Sequence, residues 1–235
     1  MSVRGRMILV PLAAVVAGCG APATSRPVEP VEPASASVAV SVAAPACVAD
    51  GLGELHVRYA QPACGDDVEA CAAACAADDA GACMSAAYAL EAAGDAEAGT
   101  RDAYGRACRL GLAIGCTNLG AYLWLTPAGE PGDPACARRL FDAACAADER
   151  FACAMVGRMM AAEATTPAAR AAARAYFDQL CTDAGGVACR MYAFHLEQGD
   201  LGEASAGEIA PLLQRACETG DQESCGHTTA AEIFR

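Results

Sequence analysis

Fifteen cysteines carry most of the chemistry that this chain of 235 residues can offer. Ten of them fall into five pairs with seven residues between partners: Cys75/Cys83, Cys108/Cys116, Cys145/Cys153, Cys181/Cys189 and Cys217/Cys225. Fourteen cysteines follow Cys19 in a chain that opens with an export-type leader, and in an oxidising compartment an even count of this kind reads as a disulfide framework. Metal binding is the competing chemistry. Zinc sites favour close pairs such as C-x2-C with a second pair nearby, and none occurs here. Cys71 and Cys75, four apart, are the tightest pair, and no histidine stands near them. Cys47, Cys64, Cys71 and Cys136 lie outside the paired spacing and allow three connectivities, between which the sequence does not choose. A bond from Cys71 to Cys47 or Cys64 is the expectation, with Cys136 left as a candidate free thiol open to reaction or intermolecular pairing.

Catalytic chemistry has little to stand on. All sixteen basic residues are arginine, so no lysine can activate a serine or form a Schiff base. His56, His195 and His227 are far apart in sequence, no H-x-H or H-E-x-x-H occurs, and each is expected on a helix surface. G-x-S-x-G and G-x-x-x-x-G-K are also missing from the sequence. The acidic turns Asp78-Asp79 and Asp148-Glu149 are too sparse for a calcium loop and read as solvated turns. No catalytic residue, metal or cofactor is therefore expected. The formal charge of −13 repels phosphate backbones, which argues against nucleic acid as a partner.

The first residues are an address. Arg4 and Arg6 precede an apolar run, Met7–Val16, too short to span a bilayer. The run ends Val16-Ala17-Gly18-Cys19, which resembles a bacterial lipobox. That resemblance implies cleavage before Cys19, acylation of Cys19 and a stable membrane anchor made by several chains together. Gly20 rather than Asp after the cysteine points by analogy to the outer membrane. Loss of Arg4 and Arg6 with the leader makes the mature charge −15. Residues 19–46 then form the lipidated cysteine and a tether, whose five prolines among Ala, Ser, Val and Glu give neither helical nor strand period.

The cysteine pairs also set the elements that hold them. Their first members lie 33, 37, 36 and 36 residues apart, a period in the range of helical repeat arrays. Four residues before each first cysteine stand Cys71, Tyr104, Phe141, Phe177 and Leu213, which share a helix face with it and predict the buried stripe of a first helix. Four residues after each second cysteine stand Ala87, Gly120, Gly157, Ala193 and Thr229. Small residues there are expected to mark where a second helix crosses its partner. The stretches between the cysteines, such as AADDAGA and ETGDQES, suit turns and are too short for another element. Each C-x7-C thus ties the end of one helix to the start of the next, worth about 2–3 kcal/mol apiece in a chain-entropy treatment. Such bonds offset a core thin in large side chains. The prediction is an all-α solenoid of about five helix-turn-helix repeats over 65–235, preceded by a capping segment, 47–64.

The stretches ACAADERFACAMVGRM (144–159) and ACRLGLAIGCTNLGAYL (107–123) resemble the sel-1-like repeats of bacterial cysteine-rich helical proteins, which are tetratricopeptide-like. The resemblance runs over residues 65–235 and implies an antiparallel helix pair per unit with a disulfide at this spacing. The family's L-G dipeptide stands only as Leu119-Gly120, with Val156-Gly157 close to it. Some relatives of this type are penicillin-interacting or weak β-lactamases. A serine β-lactamase needs S-x-x-K and K-T-G, which a chain without lysine cannot supply.

A helical array offers an extended concave face, and such faces bind peptides or protein segments. The expected role is a non-enzymatic scaffold in the bacterial envelope, its membrane contact made by the lipid anchor and its partner a protein or peptide on the concave face. Trp124, the single tryptophan, is flanked by Tyr122, Leu123 and Leu125 and is expected to be buried rather than an interface anchor. Tyr88, Tyr192 and Arg190 lie on second helices as further surface candidates. The alternatives are an enzyme of the same repeat family and a redox or metal-handling protein that uses Cys71 and Cys136.

Overall fold

The computed structural model describes residues 47–58, 64–65, 67–93, 98–125 and 132–233. These lie in one compact unit, Ala44–Arg235. The leader, Cys19 and the tether fall outside the described residues. Among the described residues the regular elements are nine α-helices and two short 3-10 turns: α1 (Val68–Ala76), α2 (Ala80–Ala92), α3 (Ala98–Arg109), α4 (Ala113–Trp124), α5 (Pro134–Ala146), α6 (Arg150–Glu163), α7 (Pro167–Ala184), α8 (Gly186–Glu197), α9 (Ala206–Glu218), then Gln222–Ser224 and Ala230–Glu232. Each helix packs on the next, and the second helices α4, α6 and α8 also touch in succession. This is an α-solenoid.

The helix starts follow from local chemistry. Asp67, Asp79, Asp133 and Thr166 cap α1, α2, α5 and α7 by accepting a hydrogen bond from the backbone N–H three residues on. Ser205 and Glu208 make a capping box for α9. Each cap contributes about 1 kcal/mol. Pro134 and Pro167 occupy first-turn positions, where a missing N–H costs nothing.

Four of the five turns that follow the first cysteines share a design, and the α7–α8 turn instead passes through Gly185 and Gly186 at φ of +62° and +48°. Asp78, Gly111, Asp148 and Gly220 have φ of +68°, +90°, +64° and +103°, each three residues after the first cysteine. The next N–H reaches back five residues, as in Asp79 to Ala74 and Glu149 to Ala144, which satisfies helix-end carbonyls. A chain reversed this tightly sets the cysteines side by side. The bonds Cys75–Cys83, Cys108–Cys116, Cys145–Cys153, Cys181–Cys189 and Cys217–Cys225 follow, with Cα atoms 4.5–4.9 Å apart.

Packing along the array rests on an aromatic-to-glycine interlock. The stripe residues Cys71, Tyr104, Phe141, Phe177 and Leu213 are all buried. The Phe141 ring of the third repeat lies over Gly120 of the second, and the Phe177 ring of the fourth lies over Gly157 of the third; a Cβ on either glycine would stand 2.8 Å from the ring. The small residue after the second cysteine thus receives the next repeat, not its own partner helix as the sequence suggested. The close approach inside a pair falls instead at the residue before the second cysteine: a Cβ on Gly115 would stand 2.8 Å from Ala107. Polar bonds add register between repeats. The Tyr104 hydroxyl donates to Glu91 (2.7 Å), the Thr117 hydroxyl to Glu149 (2.6 Å), and Arg106 to the Ala76 carbonyl (2.9 Å). Burial, then the Glu91 bond, raises the Tyr104 pKa and keeps that phenol a donor.

The fifth repeat departs from the expected pattern. After Cys225 the chain makes turns and the 3-10 turn Ala230–Glu232 rather than a second α-helix. Gly226, Thr228 and Thr229 are weak helix formers, so propensity opposes one there. The turn packs on α8, where the Ala231 N–H donates to Glu197, giving the array the atypical last unit that stacked repeats need.

Candidate functional site

The four additional cysteines define the site. Cys64 bonds to Cys71 at the first repeat, and Cys47 bonds to Cys136 at the start of α5, so neither Cys71 nor Cys136 is a thiol. Residues 47–56 do not close the end of the array. They form a strap whose bonds run to the second and third repeats. From the Cys47–Cys136 bond the strap follows α5, where Asp50 pairs with Arg139. It ends beside the α3–α4 turn, where the His56 N–H donates to the Gly111 carbonyl (2.8 Å) and the His56 carbonyl accepts from the Ala113 N–H (3.0 Å). Leu112 caps α4 without a side-chain bond, and His56 supplies the missing acceptor. Val48, Leu52 and Leu55 turn apolar groups onto the core.

Between strap and helix lies a groove of about 720 Å³. Ala143, Ala146 and Ala147 line one side, Ala49 and Leu52–Leu55 the other, and Arg139, Asp142 and Asp148 the remainder. Its charges are unbalanced. Arg139 is held by Asp50, and that hydrogen bond lowers the Asp50 pKa and raises that of Arg139. Asp142 pairs with Arg138 across one helical turn at 3.1 Å. Glu54 and Asp148 have no ion-pair partner among the described residues. The backbone groups of Leu52, Gly53, Glu54 and Leu55 make no hydrogen bond to other described residues; the Glu54 carbonyl lies against Gly111 of the α3–α4 turn.

A second cluster sits where α4, α6 and α8 meet. Arg158 lies 5.2 Å over the Trp124 ring, and burial lowers its pKa. Trp124 is half-buried and meets Phe141 edge to face. His195, expected on a surface, is 4% exposed: it stacks on Phe177 at 5.6 Å, and its Nδ1 lies 2.7 Å from Asp200. It lies against Phe177, whose ring faces Gly157 of the third repeat, and near enough to Arg158 of that repeat to feel its charge, which puts it inside the stack. Burial outweighs Asp200 and lowers its pKa. An Asp–His pair needs a nucleophile at the other ring nitrogen to act as a relay, but His195 Nε2 is buried with no hydrogen-bond partner among the described residues. The cluster holds helices together.

His56 sits on the strap and His227 beside Glu232. Tyr192 is buried on Phe177, Tyr88 is exposed, and Arg190 bridges to Asp221 and Glu223 of the fifth repeat. None of these joins the groove. Among the described residues no three His, Cys, Asp or Glu side chains come together as metal ligands, and no helix is long and apolar enough to cross a membrane. The groove residues Glu54, Asp142 and Asp148 were not singled out together by sequence; the two unassigned cysteines, Cys47 and Cys136, were the available signal. In comparison with known proteins, no family model matches the chain and no curated protein matches it.

Proposed function

We propose that this protein is a non-enzymatic helical-repeat scaffold of the sel-1-like kind, which binds a protein or peptide segment and is held at the bacterial cell envelope by an acylated Cys19. The observation that carries the reading is the groove beside α5, framed by a disulfide-bonded strap and floored by small side chains on a stapled array. A rigid frame lowers the ordering cost that a binding surface meets when it takes up an extended segment. The address rests on Val16-Ala17-Gly18-Cys19 and the proline-bearing tether.

Two measurements test it. Intact protein grown with an alkyne fatty acid becomes labelled, and Cys19→Ser abolishes the label; unlabelled wild-type protein removes the anchor from the account. Cross-linking in native membranes followed by mass spectrometry returns one reproducible protein partner. Recovery of lipid or cell-wall fragments alone shifts the role to a small molecule.

A further inference from the structure

We infer that the groove between the strap and α5 takes an extended segment of a partner protein carrying an arginine or lysine between small apolar residues. The inference rests on the peptide-binding reading above and names what that site selects. Three features of the groove lead to it.

First, one side of the groove is lined by small apolar side chains. Ala143, Ala146 and Ala147 fall at helical spacing on α5 and its turn and leave room where larger side chains would fill the space. Second, the opposite wall is irregular backbone. The run from Leu52 to Leu55 is neither helix nor turn, and its N–H and C=O groups are unpaired among the described residues. Unpaired main chain of this kind gives an incoming segment sequence-independent hydrogen bonds, as in strand addition. Third, the charge is one-sided. The lone basic side chain lining the groove, Arg139, is engaged by Asp50, which leaves the carboxylates of Glu54 and Asp148 without a counter-ion and Asp142 shared with Arg138. A cation from the partner offsets that excess; an anion meets repulsion from the rim and from the net charge of −13. Apolar floor, open backbone and acidic rim select a cationic peptide.

The test is a selection from a displayed random nonapeptide library on the intact, oxidised protein. The expected result is enrichment of sequences with arginine or lysine flanked by small apolar residues. The double variant Glu54→Gln/Asp148→Asn keeps both side-chain shapes, and asparagine tolerates the positive φ at position 148. An enriched peptide, resynthesised and measured by fluorescence anisotropy, is expected to bind this variant roughly three- to tenfold more weakly, and the wild type more weakly in high salt. Enrichment of neutral or acidic peptides that Ala143→Arg displaces from the groove overturns the cation preference and leaves peptide binding standing. A selection indistinguishable between the wild type and Ala143→Arg overturns both. Circular dichroism of each variant separates a lost site from a lost fold.

Discussion

The interlock between repeats makes opposite demands on two glycines that both lie inside helices. Ala is a better helix former than Gly by about 1 kcal/mol, so Gly→Ala stabilises an open helical position by about that much. Gly105 in α3, although buried, has room for the methyl: a Cβ there meets Arg109 at 3.5 Å and Leu119 at 3.8 Å, which is ordinary contact. Gly157 in α6 does not. Its Cβ would stand 2.8 Å from two atoms of the Phe177 ring, a side chain with no exposed surface and with Tyr192 stacked on it at 5.7 Å. Overpacking of this kind costs about 1–3 kcal/mol, which exceeds the propensity gain and leaves a net loss of about 1 kcal/mol. Gly105→Ala is thus expected to raise Tm by about 2–4 °C and Gly157→Ala to lower it by about the same amount in a domain of this size. The assay is thermal unfolding followed by circular dichroism with all disulfides intact. Phe177→Leu should cost less in the Gly157→Ala background than in the wild type, because the smaller side chain relieves the clash. A Gly157→Ala protein as stable as Gly105→Ala would refute the interlock as a rigid contact.

Three other outcomes follow from the same contacts. Replacing Cys47 and Cys136 by serine opens a loop of sequence separation 89, already shortened by three internal bonds, and is expected to destabilise the protein by about 4 kcal/mol; hydrogen exchange at residues 48–56 rises with it, and unchanged exchange would mean the strap needs no covalent tie. Thr117→Val removes the hydroxyl that donates to Glu149 across the second and third repeats and costs about 1–2 kcal/mol, read from the urea midpoint; an unshifted midpoint contradicts it. Burial holds the His195 imidazole below its ordinary value of 6.5, so the unfolded chain binds this proton at higher pH than the folded one. Stability from this group is therefore full above about pH 6.5 and lost as pH falls toward the folded-state value, with a slope of at most about 1.4 kcal/mol per pH unit, and His195→Gln should remove that component from the stability–pH curve.

What was legible in the sequence was what repeats locally. The C-x7-C spacing located helix ends and turns because a tight reversal and a disulfide constrain the same few residues. The residue four before each first cysteine showed the buried stripe, since a helix face repeats at that interval. The position four after each second cysteine was read as small for the wrong neighbour: spacing says that something approaches Gly120 and Gly157, and only the stack shows that it is Phe141 and Phe177 of the following repeat. His195 escaped because its burial depends on the Phe177 ring of the paired helix, which a spacing pattern along α8 alone does not show. The strap left still less trace. Cys47 and Cys136 lie far apart in sequence, and nothing near either residue signals the other. The groove exists only because that pairing lays residues 47–56 along α5. The fifth repeat shows the reverse case, where the cysteine spacing persists and the second helix does not, because Gly226 and the two threonines oppose it.

The most direct test of the scaffold account places a photo-cross-linking residue at Ala143, facing the groove, in the intact protein in native membranes. The account predicts one reproducible protein adduct whose cross-linked peptide carries arginine or lysine, absent when the same residue is placed at the exposed Asp102 and lost on Glu54→Gln/Asp148→Asn. Adducts of equal yield from both positions, or none from Ala143, would contradict it.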